Sequence, residues 1–190
     1  HDLRTPLSRL KFSLAMQPQN EQNLEMHKDV LELESLVDEL LNFSRLESQH
    51  RHLKKDNVDL SELLVHLTEK LNRGIEDDTE LKLNIIDKAH CLCDGHLLER
   101  AIQNLITNAI RYGNKLVKVS IAVKGKYAHI YVEDDGDGIE EKDRNKVFSA
   151  FTRLDKSRNK SSGGFGLGLA IVQRICQWHQ GTCIVDKSEQ

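Results

Sequence analysis

Leu3, Leu7, Leu10 and Leu14 recur along the first sixteen residues at spacings of four, three and four, the stripe of a helix that hides one face. Pro6 falls inside the stripe. Its ring removes a backbone donor and crowds the carbonyl of Asp2, which predicts a bend beside His1. QPQNEQN then predicts a turn, and a longer helix is expected from about Glu21 to Gln49, with Leu33, Leu36, Val37, Leu40, Leu41 and Phe43 on its apolar side. Two helices cannot bury faces that wide alone. Pairing two copies of the hairpin into a four-helix bundle can, so a twofold homodimer is expected.

HRHLKKDN, residues 50–57, is polar and basic and reads as a linker. The expected division is a helical hairpin over 1–52 and a second unit over 53–190. Within the second unit, DLSELLVHLTEKL opens on a capping pair, Asp59 and Glu62, and continues as an amphipathic helix. LKLNI alternates as a strand. Asp94 caps an expected helix through GHLLERAIQNLITNAIRY. VKVSIAV and AHIYVED alternate and are joined by KGK as a hairpin. A glycine-, serine- and lysine-rich loop over about 149–163 precedes the helix GLGLAIVQRICQWH, a stop at Gly181 and a strand TCIVD. Helices segregated from an antiparallel-type sheet make an α/β sandwich, and the chain as a whole is of the α+β class.

The net charge of −3 argues against nucleic-acid binding. No apolar run approaches the roughly 18 residues of a membrane span, so these residues are expected to make no membrane contact. Cys91, Cys93, Cys176 and Cys183 are too irregularly spaced for a disulfide framework, and reduced thiols are expected. HCLCDGH raises a zinc site with His90 and His96. A C-x-C pair on one face of a short strand is the simpler reading, because a closed zinc site uses looser ligand spacing.

Three stretches in the second unit carry candidate chemistry. Asn104 and Asn108, four apart, stack on one helix face. On a core-facing helix each amide must find a partner: a loop, or a magnesium ion that needs few protein ligands. In EDDGDGI, Gly136 and Gly138 allow a sharp turn after Asp134, either an ordinary turn or one whose carboxylate accepts from an adenine amino group. In GGFGLGLAIV, Gly163, Gly164, Gly166 and Gly168 lead into a helix, where free backbone N–H groups and the helix dipole favour an anion.

From Asp94 to about Ile171 the chain resembles the ATP-binding domain of bacterial two-component sensor histidine kinases, in the gyrase/Hsp90/histidine kinase/MutL-type superfamily, with wording similar to the RstB-type branch. NLITNAIRY looks like the N box, DDGDGI the G1 box, VFSAFTRLD the F box and GGFGLGLAIV the G2 box. HDLRTPL looks like the H box of the dimerisation and phosphoacceptor helix. Hydrolase members of the superfamily carry a water-activating glutamate where this chain has Asn104, an amide that is no general base. The γ-phosphate is thereby kept for another acceptor, and the resemblance makes that acceptor His1.

The resemblance implies ATP and Mg2+ as cofactors. Asn108 would coordinate magnesium, Asn104 would support the phosphates or a metal-bound water, and Arg111 would reach a phosphate. Tyr112 would lie on the adenine and Asp134 would bind it. Gly136, Gly138, Gly164, Gly166, Leu167 and Gly168 match positions that shape the pocket and lid. Loop 149–163, with Arg153, Lys156, Arg158 and Lys160, would be that lid, anchored by Phe148 and Phe151. His1 would attack the γ-phosphorus through Nε2 while Asp2 holds the Nδ1 proton. Thr5, one turn on, would orient a water that dephosphorylates the partner, although by spacing alone its hydroxyl suits a bond to the preceding turn. The implied partners are a second copy and a response-regulator receiver domain whose aspartate takes the phosphoryl group. Two departures stand out. The chain starts at the phosphoacceptor, which suggests a piece of a larger, membrane-anchored sensor working at the cytoplasmic face of the inner membrane. QWHQGT keeps only one glycine of the usual pair.

Overall fold

A computed structural model describes residues 4–17, 20–48, 53–75, 79–154 and 164–187. Helices α1 (Arg4–Ala15) and α2 (Glu21–Ser48) form the expected hairpin. Pro6 is accommodated within α1, and the bend expected beside it falls on His1 and Asp2, which lie outside the described residues. Arg4 Nη2 meets Asp38 Oδ1 at 2.8 Å and Lys11 Nζ meets Glu34 Oε2 at 2.8 Å. Both pairs are open to solvent and fix register more than they add stability. Much of the hairpin's apolar surface stays uncovered: Phe12 is 65% and Met16 71% exposed, with Leu10, Leu24, Met26, Leu31 and Leu33 also exposed.

Strand β1 (Asp56–Asp59) pairs antiparallel with β3 (His90–Cys93). The linker expected at 50–57 thus ends in a strand. Its residues, DNVD, show no apolar alternation to betray it, and pairing with β3 supplies what propensity does not. Helix α3 (Leu60–Asn72) starts where its cap predicts, with the Asp59 carboxylate accepting the Ser61 and Glu62 N–H groups at 2.8 and 3.1 Å. The Asp59 carboxyl is held below the usual range, chiefly by the Glu62 N–H against the cost of desolvation, with Ser61 and the charges of His90 and Lys88 adding to it.

The second sheet has the order β2 (Glu80–Ile85), β4 (Leu116–Lys124), β5 (Tyr127–Asp134). It is mixed rather than antiparallel. β4 and β5 form the expected hairpin, turning at Gly125 with φ +63°, but β2 runs parallel to β4. The connection from β2 passes through β3 and α4 (Gly95–Tyr112), a crossover long enough to bring the chain back in the same direction. One sheet face carries Leu81, Val117, Val119 and Ile121 against Leu60, Leu64 and Leu67 of α3 and Ile102, Ile106 and Ala109 of α4.

A second core lies on the far side of α4. Leu97, Ala101 and Leu105 meet Leu167 and then Ile171, Val172 and Ile175 of α5 (Gly168–Trp178), and the end of α2 enters the same cluster through Phe43 and Leu46. Leu46 is 2% exposed. The strand expected at Thr182–Asp186 does not form. No strand pairs with it among the described residues, and Ile184 is 80% exposed, although Cys183 reaches the second core and Asp186 Oδ1 meets Arg144 Nη1 at 2.8 Å.

Candidate functional site

Helix α4 supplies the first wall. Its N-cap is Asp94, whose carboxylate accepts the Leu97 N–H at 3.2 Å and the Lys54 N–H at 3.3 Å. The backbone N–H of Asp94 donates to His179 Nε2 at 3.0 Å, while Nδ1 of that ring lies 2.8 Å from the Ile175 carbonyl. Because Nε2 accepts, the proton sits on Nδ1 and bonds the carbonyl. One imidazole thereby joins the start of α4 to the end of α5.

Asn104 is half-buried on the α4 face toward α5. Its Nδ2 is buried and has no hydrogen-bond partner among the described residues. The amide lies 4.0 Å from the position of a Cβ on Gly168, the first residue of α5. Among the described residues no side chain caps α5, which leaves its leading N–H groups as donors at the edge of the site. An orphaned buried donor costs about 1–3 kcal/mol, a cost that an incoming acceptor oxygen removes. Asn108 is half-buried one turn further along the same face.

The second wall is the turn after β5. Asp134 Oδ1 accepts the Gly136 N–H at 3.0 Å. A Cβ at Gly136 would collide with the Tyr112 carbonyl and lie 2.8 Å from Asp134 Oδ1, so this position must be glycine for the turn to close on the end of α4. That approach brings Tyr112 and Asp134 together. Gly138, at φ +69°, is exposed.

Asp135 organises the same corner and was not singled out by its sequence. Its carboxylate accepts N–H groups from Asn114 at 2.7 Å, Lys115 at 3.0 Å and Leu116 at 3.1 Å, and its carbonyl accepts from Asn114 Nδ2 at 2.6 Å. These bonds, Lys115 and Leu116 foremost, lower its pKa. The only signal was a second aspartate before a glycine, which any turn could use.

Gly164 and Gly166 close the third side. A Cβ on Gly164 would run into the Arg111 guanidinium, so that arginine packs directly on the glycine. Gly166 has φ +73°, and a Cβ there would lie 2.7 Å from the Thr152 carbonyl oxygen. Its own carbonyl accepts the Phe151 N–H at 2.9 Å, joining residues 149–154 to the start of α5. Leu167 departs from expectation: its side chain is fully buried in the second core, leaving only its backbone near the site. Phe148 is buried and anchors the segment, whereas Phe151, 57% exposed at φ +62°, holds it only through its backbone N–H, its side chain belonging to neither core among the described residues. Arg153 is half-buried beside it. Lys156, Arg158, Lys160 and Gly163 lie outside the described residues.

Asn104, Asn108, Arg111, Tyr112, Asp134, Gly136, Gly164, Gly166 and Gly168 are thus gathered where α4, the β5 turn and the start of α5 meet. Thr5 is elsewhere, on the exposed face of α1, and His1 and Asp2 lie outside the described residues. One neighbour of the site comes from the hairpin. Burial pushes the half-buried Glu39 carboxyl of α2 above its usual range, partly offset by the charges of Arg111 and Arg100. Burial also lowers the Arg100 pKa, with Glu39 opposing it.

Residues 93–190 match the sequence profile described as "Histidine kinase-, DNA gyrase B-, and HSP90-like ATPase". The chain is 37% identical to the sensor protein RstB of Escherichia coli K12, covering all of this chain and 44% of RstB. It is 32% identical to the sensor histidine kinase CpxA of the same strain, covering 95% and 41%. It spans less than half the length of these curated relatives. Among solved structures, full-length ShkA in complex with AMPPNP superposes with a TM-score of 0.79 at 27% identity, over 94% of this chain and 39% of that one. The Acinetobacter baumannii histidine kinase AdeS superposes with a TM-score of 0.62 at 26% identity, over 94% and 86%.

Proposed function

Since the chain belongs to the histidine kinase-, DNA gyrase B- and HSP90-like ATPase family, we propose that it is the catalytic core of a two-component sensor kinase that phosphorylates His1 from Mg-ATP. The observation that carries this reading is the buried, unpartnered amide nitrogen of Asn104 facing the uncapped first turn of α5. A donor and a helix N-terminus converging on one space suit a polyphosphate oxygen. Asp134 accepts from the adenine amino group beside Tyr112, and Arg111 neutralises phosphate charge. Asn108 offers a neutral oxygen to magnesium, which supplies further charge neutralisation when bound.

With Asn104 in place of a base, water is not activated and the γ-phosphoryl group passes to the His1 Nε2, while Asp2 holds the Nδ1 proton. The product phosphohistidine gives its phosphoryl group to an aspartate of a response-regulator receiver domain, and Thr5 orients water when that aspartyl phosphate is removed. Residues 1–52 act as the dimerisation and phosphotransfer unit and 53–190 as the ATP-binding unit. The exposed apolar side chains of α1 and α2 support a homodimer through the hairpin. In the whole protein, this core works at the cytoplasmic face of a membrane.

Incubation with γ-labelled ATP and magnesium, with and without a receiver domain, tests the reading. Label is expected on His1 and then on the receiver. Asn108→Ala removes magnesium-dependent labelling, and Asp134→Asn weakens binding of a non-hydrolysable ATP analogue by placing a donor where adenine needs an acceptor. Thr5→Ala spares labelling of His1 and slows loss of label from the receiver. Steady phosphate release to water with no labelled histidine would overturn the proposal in favour of an ATP hydrolase.

A further inference from the structure

Helix α5 ends in a turn that sends the chain back on itself. The Gln180 N–H bonds the Gln177 carbonyl at 3.0 Å and the Gly181 N–H bonds the Cys176 carbonyl at 2.8 Å, the paired bonds of a Schellman cap. Gln180 occupies the left-handed position, φ +58°. Because Gly181 is tied to the Cys176 carbonyl, the residues after it run back past the last turn of α5. Cys183 therefore comes alongside Cys176. Both are half-buried against the second core, both are free, and the Cys183 thiol hydrogen-bonds the Cys176 sulfur.

We propose that Cys176 and Cys183 form a peroxide-sensitive dithiol pair that closes reversibly to a disulfide across the C-terminal cap of α5. Nothing in the phosphoryl-transfer chemistry uses either thiol. The hydrogen bond from Cys183 stabilises the Cys176 thiolate and lowers its pKa, overcoming the opposing effect of burial, while the same bond and burial push the Cys183 thiol up. Cys176 is thus the sulfur that reacts first.

The Cys176 thiolate attacks one oxygen of hydrogen peroxide, the O–O bond breaks, and a sulfenic acid forms with release of hydroxide. Cys183 then loses its proton to that hydroxide and attacks the Cys176 sulfur, expelling the sulfenic hydroxyl as hydroxide, which leaves as water after taking a solvent proton. That proton balances the one released when the Cys176 thiolate formed, so the sum is two thiols and one peroxide giving one disulfide and two waters. A thiol reductant reverses it. Cys91 and Cys93 are also neighbours, but they are two residues apart in β3 and would have to distort that strand's pairing with β1 to join.

The full chain, exposed to dilute hydrogen peroxide, alkylated with N-ethylmaleimide and digested, reads this out by mass spectrometry. A peptide pair joined at Cys176 and Cys183, two hydrogens lighter and separated by dithiothreitol, is expected, with Cys91 and Cys93 alkylated. The same treatment in urea controls for mere closeness in sequence. The folded chain should close severalfold faster, because the cap bonds hold the two thiols side by side only there. Cys183→Ser should instead accumulate sulfenic acid at Cys176, trapped by dimedone. Equal or faster closure in urea, or both thiols alkylated at peroxide that consumes free cysteine, would overturn the proposal.

Discussion

Gln180→Gly should raise the stability of the chain. Gln180 sits at φ +58° in the cap of α5, a conformation in which a Cβ crowds the following carbonyl at a cost of about 1–2 kcal/mol. Glycine removes that crowding but adds about 0.5–1 kcal/mol of unfolded-state entropy. The balance is a gain of roughly 0.5–1 kcal/mol, because both bonds of the cap are made by backbone groups and survive the change. Gln180 is exposed, so no packing is lost. For a chain of this size the gain corresponds to about 1–4 °C in Tm. Thermal unfolding followed by circular dichroism, in protein kept reduced, reads the shift. Gln180→Val is the companion variant and should lower Tm, since a β-branched residue is least tolerated there. A Tm for Gln180→Gly at or below that of the parent would refute the argument from backbone strain.

Gly136→Ala should weaken binding of an ATP analogue and cost about 1–3 kcal/mol in urea unfolding, since its methyl group meets the Tyr112 carbonyl and backbone must move. Leu64→Ala, at a fully buried site between α3 and the sheet, should cost about 2–5 kcal/mol by the same assay without changing nucleotide affinity per folded molecule. Asp135 has a lowered pKa, so its contribution is complete above the ordinary carboxylate value and is lost as pH falls through the lower folded value. The protection of the amides of residues 114–116, relative to their intrinsic exchange rates at each pH, should therefore fall selectively on acidification, and Asp135→Asn should remove that pH dependence. For Glu39 the sign reverses: with its folded pKa raised, its contribution is present below 4.5 and lost as pH rises through the folded value. The Tm of Glu39→Gln relative to the parent should thus improve from pH 4 to pH 7.

The helices, their caps and the β4–β5 hairpin were legible because each rests on local chemistry. Asp59 and Asp94 sit where a carboxylate can reach the next N–H groups, and Val117, Val119 and Ile121 alternate with the exposed Lys118. β1 was hidden because DNVD has no pattern of its own and is a strand only by virtue of β3. TCIVD fails for the converse reason: it has the alternation and no neighbour to pair with among the described residues. The parallel run of β2 follows from how long the connection is, which side-chain pattern does not record. At the site, glycines and asparagines in three separated stretches were enough to name most of the corner. Leu167 was misread because a position inside a glycine-rich stretch looks like lining, whereas its side chain belongs to the core. Asp135 and Glu39 went unnoticed because each acts through a segment distant in sequence, by Asn114–Leu116 and by Arg111 respectively.

The place of Arg111 between the hairpin and the glycines has a thermodynamic consequence. Its guanidinium packs on Gly164 and its charge offsets the burial of Glu39. Any anion that engages Arg111 competes with Glu39 for the same positive charge, and leaves that half-buried carboxylate less well compensated. By reciprocity, whatever loosens α2 from α4 frees Arg111 and tightens anion binding by the same factor. An event along the hairpin and an event in the pocket therefore need no moving wire between them. One cation shared by two claimants, with Arg100 left as the carboxylate's other support, is coupling enough.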